Sequence, residues 1–381
     1  MNIVFLLYHP SSFSNWINKL SPFFYGANIY VLHISKLHGV QPDVIDAYTA
    51  IDISYCSYKK LENILRNINP DVFVFLSFRS LLEYTINRLC VNLGIRKIYL
   101  EHGLFSVDTL NFRKNKLKKE IIKTIRRQAI YWLVQLGLVM HSKHPLLEIK
   151  LAICVYRKNE FEKASYDHYY VFSKRSFDCY KPIFNLNEKD VTYIGYPIFN
   201  NDADKLDTDM QGDEKGILYV HQPLISDGIA SISYEEEKRY LKMLADMLKD
   251  RYGDFTILLH PRADLYEYRE RFNDVGIKIV QSPNNYKLFA NKSLIIGHYS
   301  TALLYGLYFN KPTVVLDYPS TETASMFKDL FVYCNDVKKL STMRIPVDTL
   351  RKDYVVGKHN TFKYIAEILL NDINDEVNFD S

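Results

Sequence analysis

The second half of the sequence holds two polar clusters, and each follows an apolar, β-rich run. The first run, residues 255–259, leads into His260-Pro-Arg262, and the second, residues 293–297, leads into His298-Tyr-Ser-Thr301. Imidazole, guanidinium and hydroxyl groups can bind phosphate, and the N–H groups at a helix start add to them. Because the carboxyl ends of parallel strands meet at one edge of a sheet, these clusters predict a phosphate-binding site for a nucleotide donor.

We expect the two clusters to form opposite walls of this site. His260 and Arg262 lie on one wall, and Ser300 and Thr301 lie on the other. His298, which opens the second cluster, is a further donor-binding candidate. Each cluster also has a plainer interpretation, since a histidine before proline is often a satisfied turn residue and Ser-Thr at a helix start is usually an N-cap. Their occurrence together in one series of strands and helices favours the site.

A third polar cluster, Glu101-His102-Gly103, follows the predicted strand 97–100. A carboxylate and an imidazole at a strand end suit general acid or base catalysis, and glycine allows a close approach of the backbone. The plainer interpretation is a polar turn with at most one functional residue. We assign four residues to the acceptor side of the site, namely His102, Gly103, His9 and Ser11.

Strands that alternate with helices predict an α/β fold with parallel sheets, in the form of two Rossmann-like domains. Residues 1–200 form the N-terminal, acceptor-side domain, with a helical insertion at 112–158. The polar, acidic stretch 201–215 is the predicted linker, and residues 216–360 form the nucleotide-binding domain. We expect the helix and tail 361–381 to pack back on the first domain. Polar strand ends on both domains predict a cleft between them, where active sites often lie.

Length and composition exclude several classes of protein. The chain has 381 residues, a net charge of +4 and five cysteines, which lack the spacing of metal ligands. No apolar run reaches the roughly 18 residues of a transmembrane helix, and the N-terminus lacks the features of a signal peptide. The absence of a GxGxxG fingerprint and of a GxxxxGK[ST] loop argues against nicotinamide and P-loop enzymes.

Residues 113–140 combine a basic amphipathic stretch with an apolar one. Residues 113–127 are rich in lysine and arginine, and residues 129–140 are apolar with one tyrosine and one tryptophan. This combination is typical of a helix at a membrane surface, whereas a solvated basic face is the plainer interpretation. Nucleic-acid binding is less favoured, because the rest of the chain has no basic excess and no nucleic-acid motif.

Taken together, the clusters resemble the motifs of bacterial GT-B glycosyltransferases in the lipooligosaccharide sialyltransferase and polysialyltransferase group. Glu101-His-Gly103 resembles their acidic motif, His260-Pro261 their His-Pro motif, and Ser300-Thr301 their Ser/Thr pair. Gln222-Pro223, after the strand 216–221, resembles a strand-end loop of the same group and adds these two residues to the donor side. The likeness covers most of the second domain but only one strand of the first.

The resemblance implies a role for each residue. Glu101 would be the general base that deprotonates the acceptor, and His260 would stabilise or protonate the departing CMP phosphate. Ser300 and Thr301 would hold that phosphate, and Arg262 would add positive charge. The family needs no metal for this step, in agreement with the ability of N–H and O–H donors to accept developing charge.

The sequence departs from the family at one position. His102 stands where the motif has its second acid, which leaves room for another donor such as CMP-Kdo or a different nonulosonate. The turn His298-Tyr-Ser-Thr301 also resembles that of teichoic-acid glycerophosphotransferases, which use CDP-glycerol on a related fold.

These observations favour a metal-independent, inverting transferase that moves a CMP-activated acid sugar to a lipid-linked or surface glycan. It needs no cofactor beyond this co-substrate, and we expect it in the cytoplasm, peripheral on the inner face of the membrane through residues 113–140. No nucleic-acid partner is expected, and a homodimer stays open. The alternatives are a polyol-phosphate or UDP-sugar transferase and a non-catalytic glycan- or nucleotide-binding protein.

Overall fold

A computed structural model describes most of the chain. The described residues are 1–7, 17–38, 47–103, 121–196, 216–227, 229–281, 286–318, 330–347, 353–355, 357 and 362–377; side chains at 121–126, 156–157, 286–287 and 374–377 are not described. His9 and Ser11, the linker at 201–215 and the basic run 113–120 therefore lie outside the described residues. The chain divides into two compact units: unit 1 contains the described residues up to Tyr196 and the C-terminal helix, and unit 2 contains those from Gly216 to Val355.

Unit 1 is built on a parallel sheet with the strand order β3-β2-β1-β4-β5-β6-β7. Its strands are β1 (Asn2–Leu7), β2 (Asn28–His33), β3 (Thr49–Asp52), β4 (Val72–Phe75), β5 (Arg96–Leu100), β6 (His168–Val171) and β7 (Val191–Tyr193). The central strands are buried on both faces, as expected for parallel strands covered by helices. The order reverses between β1 and β4, so the switch point of this sheet lies between these two strands.

Unit 2 is built on a second parallel sheet with the order β10-β9-β8-β11-β12-β13. Its strands are β8 (Gly216–Val220), β9 (Asp254–Leu258), β10 (Lys278–Val280), β11 (Leu294–Gly297), β12 (Thr313–Leu316) and β13 (Val332–Cys334). The order reverses between β8 and β11. The strand end before Gln222-Pro223 and the strand end before His298 therefore flank its switch point.

Helices connect the strands of both sheets. The α-helices are α1 (Ser35–His38), α2 (Tyr58–Ile68), α3 (Leu81–Leu93), α4 (Ile121–His141), α5 (Pro145–Lys158), α6 (Lys174–Phe184), α7 (Tyr234–Tyr252), α8 (Leu265–Arg271), α9 (Tyr286–Ala290), α10 (Leu304–Tyr308) and α11 (Phe362–Val377). Residues 17–20 and 353–355 are also helical. Short 3₁₀ turns cover Ser21–Phe23, Phe161–Ala164, Glu188–Asp190, Thr301–Leu303 and Val337–Ser341.

Local side-chain hydrogen bonds determine where two long helices begin. A capping box begins α7, because Ser233 Oγ accepts from the Glu236 N–H at 3.2 Å and Glu236 Oε2 accepts from the Ser233 N–H at 2.7 Å. Ser80 and Glu83 make the same pair of bonds at the start of α3. Helix α3 begins six residues after the end of β4, so its cap helps to define that strand-end loop.

The C-terminal helix α11 packs within unit 1. Arg96 donates to the main-chain oxygen and to Oδ2 of Asp372, at 3.0 Å each, and the Tyr170 hydroxyl bonds to the same carboxylate. Leu369 and Ile373 are buried on the same helix. Strands β5 and β6 are therefore tied to α11, although about 200 residues or more separate Asp372 from either partner.

Two edge strands were missing from the sequence-based prediction. Strand β3 has a half-exposed pattern, and β13 has only three residues. Edge strands contact one neighbour only, so they need few apolar residues, and the periodic signal is weak. The helix expected directly after Ser300 is likewise shorter than predicted, since it is a 3₁₀ turn followed by the five-residue α10.

Candidate functional site

Three histidines follow three neighbouring strands at the switch point of unit 2. His221 comes directly after β8, His260 follows β9, and His298 comes directly after β11. Because the strand order is β9-β8-β11, His221 lies in the middle of the row. The sequence analysis named the two outer histidines as site candidates but not His221, because it assigned His221 to the predicted strand 216–221 as its last residue.

His260 is half-buried, and its neighbours determine the position of its proton. The backbone N–H of Arg262 donates to His260 Nδ1 at 3.2 Å, so this nitrogen carries no proton and the neutral ring is protonated on Nε2. Burial, together with the positive charge of Arg262 and the nearby His221, lowers the pKa of His260, although Asp227 opposes this. At neutral pH the ring is therefore a neutral hydrogen-bond donor through Nε2.

Beneath His260, His221 begins a buried chain of hydrogen bonds. His221 Nδ1 accepts from the His260 backbone N–H at 3.5 Å, and its Nε2 lies 2.9 Å from the Tyr268 hydroxyl. That hydroxyl donates to Glu237 Oε2 at 3.2 Å, and burial followed by the charge of Glu237 raises the pKa of Tyr268. The chain links the ends of β8 and β9 to α7 and α8, so it supports the backbone that carries His260.

His298 lies in the interior of unit 2 rather than on a wall of the donor site. Only 1% of the residue is exposed, and its Nε2 lies 3.1 Å from the Tyr219 hydroxyl. Burial, with a smaller contribution from His221, lowers the pKa of His298 to about 4. At 1% exposure the ring offers almost no surface to a ligand, because the packing around the end of β11 encloses it, and the donor contact of His298 stays a prediction.

Arg262 is exposed, and its guanidinium binds Asp227 with two parallel hydrogen bonds. Nη1 lies 3.1 Å from Asp227 Oδ1, and Nη2 lies 2.8 Å from Oδ2. Asp227 belongs to the loop after β8, so the bidentate pair joins this loop to the loop after β9. Tyr299, after β11, lies close to both charges, and its pKa is raised to about 12 by burial and then by Asp227. Three strand-end loops therefore meet around this ion pair.

Ser300 and Thr301 are placed as the sequence predicted, at the start of the 3₁₀ turn after β11. Ser300 is the N-cap, and its Oγ accepts from the Ala302 N–H at 3.3 Å. Because the Ser300 hydroxyl accepts in this bond, its own proton can still be donated to a ligand. The side chain of Thr301 is exposed. In the loop after β8, Gln222 is half-buried and Pro223 is buried. The hydroxyl groups of Ser300 and Thr301 thus remain candidates for phosphate contacts.

In unit 1, Glu101 is fully buried at the end of β5. Its Oε2 accepts from the Phe172 backbone N–H at 2.7 Å, and its Oε1 accepts from the Ser176 hydroxyl at 3.0 Å. These bonds connect the end of β5 to the end of β6 and the start of α6. The expectation of a carboxylate that faces the acceptor does not hold in this structure, because both oxygens point into the protein. Its role as a base stays a prediction.

His102 and Gly103, the other acceptor-side candidates in this segment, are both half-buried. Burial lowers the pKa of His102 to about 4. A hydrogen bond to the Leu76 backbone raises this pKa, but by less. A Cβ at Gly103 would meet no atom of the described residues within 4 Å. Across the described residues, no group of three or more histidine, cysteine or acidic side chains is arranged to hold a metal ion.

Comparison with known proteins identifies the fold. No family model matches the sequence, and no curated protein matches it either. In structure, the chain is similar to the calicheamicin glycosyltransferase CalG4, with a TM-score of 0.57 and 12% identity over 97% of both chains. The chain has the GT-B fold. The glycosyltransferase of kitacinnamycin gives a TM-score of 0.55 at 12% identity over 98% of this chain and 99% of that one.

A variant of the wall teichoic acid polymerase TagF is also similar to this GT-B chain. The TM-score is 0.51 at 14% identity, over 99% of this chain and 90% of that one. At such identities the likeness shows the fold alone, and many functions occur on one fold. The reaction must therefore be argued from the residues of the site.

Proposed function

We propose that this protein is a GT-B glycosyltransferase of glycan synthesis whose donor is a CMP-activated acid sugar, sialic acid or a related nonulosonate or Kdo. The donor phosphate binds at the switch point of unit 2, and the acceptor is a lipid-linked or surface glycan. The observation that carries the proposal is the neutral ring of His260, at the strand end next to the switch point. Its Nδ1 accepts from the Arg262 N–H, so its Nε2–H can donate to a ligand. The motif resemblance supplies the donor class.

In this reaction the bond between the sugar and the phosphate of CMP breaks, and negative charge develops on the leaving phosphate. His260 Nε2–H and the hydroxyls of Ser300 and Thr301 are the groups that would donate to it. Because these groups are preorganised on strand ends, they need no rearrangement as the charge develops. One such donor is worth about 3 kcal/mol of transition-state stabilisation in a comparable site.

The acceptor hydroxyl must lose its proton to a base. The resemblance favours Glu101, whereas the buried position of its carboxylate makes the adjacent His102 a second candidate. Glu101→Gln and His102→Gln separate them. Loss of kcat with an unchanged donor Kd and an unchanged melting temperature would assign the base, and a lowered melting temperature with an unchanged kcat would assign a structural role.

The donor site is tested by thermal unfolding with CMP, CDP, UDP and GDP, with and without Mg²⁺. A ligand that binds only the folded state at about a hundredfold excess over its Kd raises the free energy of unfolding by about 2.7 kcal/mol. We expect CMP to stabilise the wild type and His260→Ala to lose that effect. His168→Ala is the matched control, because His168 lies at the amino end of β6 in unit 1.

Three results would contradict the donor assignment. Stabilisation by UDP or GDP alone would exclude a CMP-sugar donor, and an unchanged CMP effect in His260→Ala would place the nucleotide elsewhere. A lack of response to every nucleotide would favour a glycan-binding protein without catalysis. Release of CMP from CMP-sialic acid, measured by chromatography, then tests the transfer chemistry directly.

A polyol-phosphate transferase is the second candidate. The similarity to the teichoic acid polymerase and the sequence of the turn at 298–301 favour it. In that reaction the phosphate stays with the transferred group, and CMP is again the leaving group. Release of CMP from CDP-glycerol but not from CMP-sialic acid would select this reaction.

A further inference from the structure

Helices α4 and α5 of unit 1 are apolar on the side that faces solvent. On α4 the exposed fractions are 44% for Trp132, 66% for Leu133, 53% for Leu136 and 72% for Met140. The spacing 133, 136 and 140 places three of them on one face of a helix. Large exposed side chains of this kind, grouped on one helix face, are unusual for a surface that meets only water.

Helix α5 continues this surface. Leu146 is 81% exposed, Ile149 43% and Ile153 42%, and their spacing of three and four residues again defines one helix face. We call the exposed residues of both helices the apolar face; its members are Trp132, Leu133, Leu136, Met140, Leu146, Ile149 and Ile153. The membrane contact expected from the sequence covered residues 113–140, which include part of α4 but none of α5. The apolar face therefore extends beyond that segment.

The opposite sides of these helices are anchored in unit 1. Tyr131, Val134 and Leu138 are buried on α4, and the buried Gln135 Oε1 accepts from the Thr85 hydroxyl at 2.7 Å. Each helix thus already uses one apolar side for its own packing. The exposed fractions of its members make the apolar face an additional surface of these helices.

The exposed charge on the two helices is positive. Residues 121–158 contain seven lysines and arginines and one acidic residue, Glu148. Glu148 is buried, and Arg88 binds it with two hydrogen bonds, at 3.0 and 2.7 Å. Lys143 and Lys150 are exposed beside the apolar residues. Over this segment the described surface therefore combines apolar side chains with positive charge and presents no acidic side chain.

We propose that the apolar face docks on an anionic lipid bilayer, with Lys143 and Lys150 at the level of the phosphate groups. An interfacial site needs apolar side chains that enter the acyl boundary and cations that meet the headgroups, and tryptophan is common at that depth. No described helix is long and apolar enough to cross a membrane. The helices lie on the bilayer, and the inner side of each keeps its contacts with unit 1.

This docking is independent of the nucleotide chemistry, and it can be tested without a nucleotide. The sequence has two tryptophans, so Trp16→Phe leaves Trp132 as a single reporter on the apolar face. The probe is a vesicle of about 30% phosphatidylglycerol in phosphatidylcholine, some with brominated acyl chains. We expect a blue shift of Trp132 emission, quenching by the brominated chains, and binding that weakens as salt is added.

The test variant is Leu133→Ser with Leu136→Ser and Met140→Ser. We expect its affinity for anionic vesicles, measured by co-sedimentation, to fall at least about tenfold, because three apolar side chains no longer leave water. The matched control is Met243→Ser with Val347→Ser, two residues of unit 2 that are 39% and 46% exposed. This control should bind as the wild type does, and far-ultraviolet circular dichroism verifies that both variants are folded.

Several outcomes would overturn the proposal. Failure to co-sediment with anionic vesicles at low salt would exclude docking on lipid. Co-sedimentation without a change in Trp132 emission would place the lipid contact elsewhere in the chain. A concentration-dependent dimer that the triple serine variant abolishes, with no lipid binding, would assign the apolar face to a second copy of this chain.

Discussion

Acid should destabilise unit 2 through the buried ring of His298. This ring is neutral in the folded protein, with a pKa of about 4, whereas the unfolded chain binds a proton near the ordinary value of 6.5. A lowered folded-state pKa contributes stability that is present above pH 6.5 and is lost as the pH falls towards 4. His298→Gln removes this titration, and its amide can still pair with the Tyr219 hydroxyl.

The size of the effect follows from the two pKa values. At 1.36 kcal/mol for each pKa unit, their difference sets an upper limit of about 3 kcal/mol. Between about pH 7.5 and about pH 5, the free energy of unfolding should fall by about 2 kcal/mol through this residue alone. That loss is about a thirtyfold change in the ratio of folded to unfolded protein.

Hydrogen exchange of the β11 amides measures this quantity within unit 2. After correction for the intrinsic pH dependence of exchange, the opening free energy of wild-type β11 should fall by about 2 kcal/mol more than that of His298→Gln over the same interval. His144→Gln, at an exposed histidine of unit 1, is the control and should follow the wild type. Equal pH slopes for the wild type and His298→Gln would refute the argument.

Three further substitutions test the packing around the site and the apolar face. Glu148→Ala leaves the guanidinium of Arg88 without its buried partner and should lower the free energy of unfolding, measured in urea, by about 3 kcal/mol. A decrease below about 1 kcal/mol would show that the pair is effectively solvated. Gly306→Ala places a Cβ against the hydroxyl of Thr313 and should lower the free energy of unfolding by about 1–3 kcal/mol; an unchanged melting temperature would contradict this close approach. Tyr268→Phe breaks the buried hydrogen-bond chain beneath the donor site. It should lower the free energy of unfolding by about 1–3 kcal/mol and weaken CMP binding. CMP binding equal to that of the wild type would show that this hydrogen-bond chain does not support the site.

Local sequence determined much of the architecture. Apolar runs of four to six residues, bounded by polar turns and helix caps, located most strands, and the local pair Ser233 and Glu236 marks the start of α7. The positions of His260, Ser300 and Thr301 at strand ends follow from the same signals. These features depend on neighbours within a few residues, so periodicity and turn chemistry are sufficient to predict them.

Tertiary structure alone decided which strand ends are neighbours. The order β9-β8-β11 places His221 between two histidines that are 39 and 77 residues away along the chain, and no local pattern encodes that order. Sequence alone also could not separate the outward-facing His260 from the buried His298. Each follows a buried strand, and whether its ring turns outwards or inwards depends on the packing of helices from elsewhere in the chain.

The same limit applies to Glu101 and to the apolar face. Sequence placed Glu101 correctly at the end of β5, but β6 and α6, which supply the donors to its carboxylate, lie about 70 residues further on. In α4 and α5, apolar side chains occur both on the side that packs and on the side that remains exposed, so periodicity could not tell the two sides apart. Burial is a property of the assembled sheets and helices, because it depends on which surfaces meet, whereas the local signals determine only the elements that carry those surfaces.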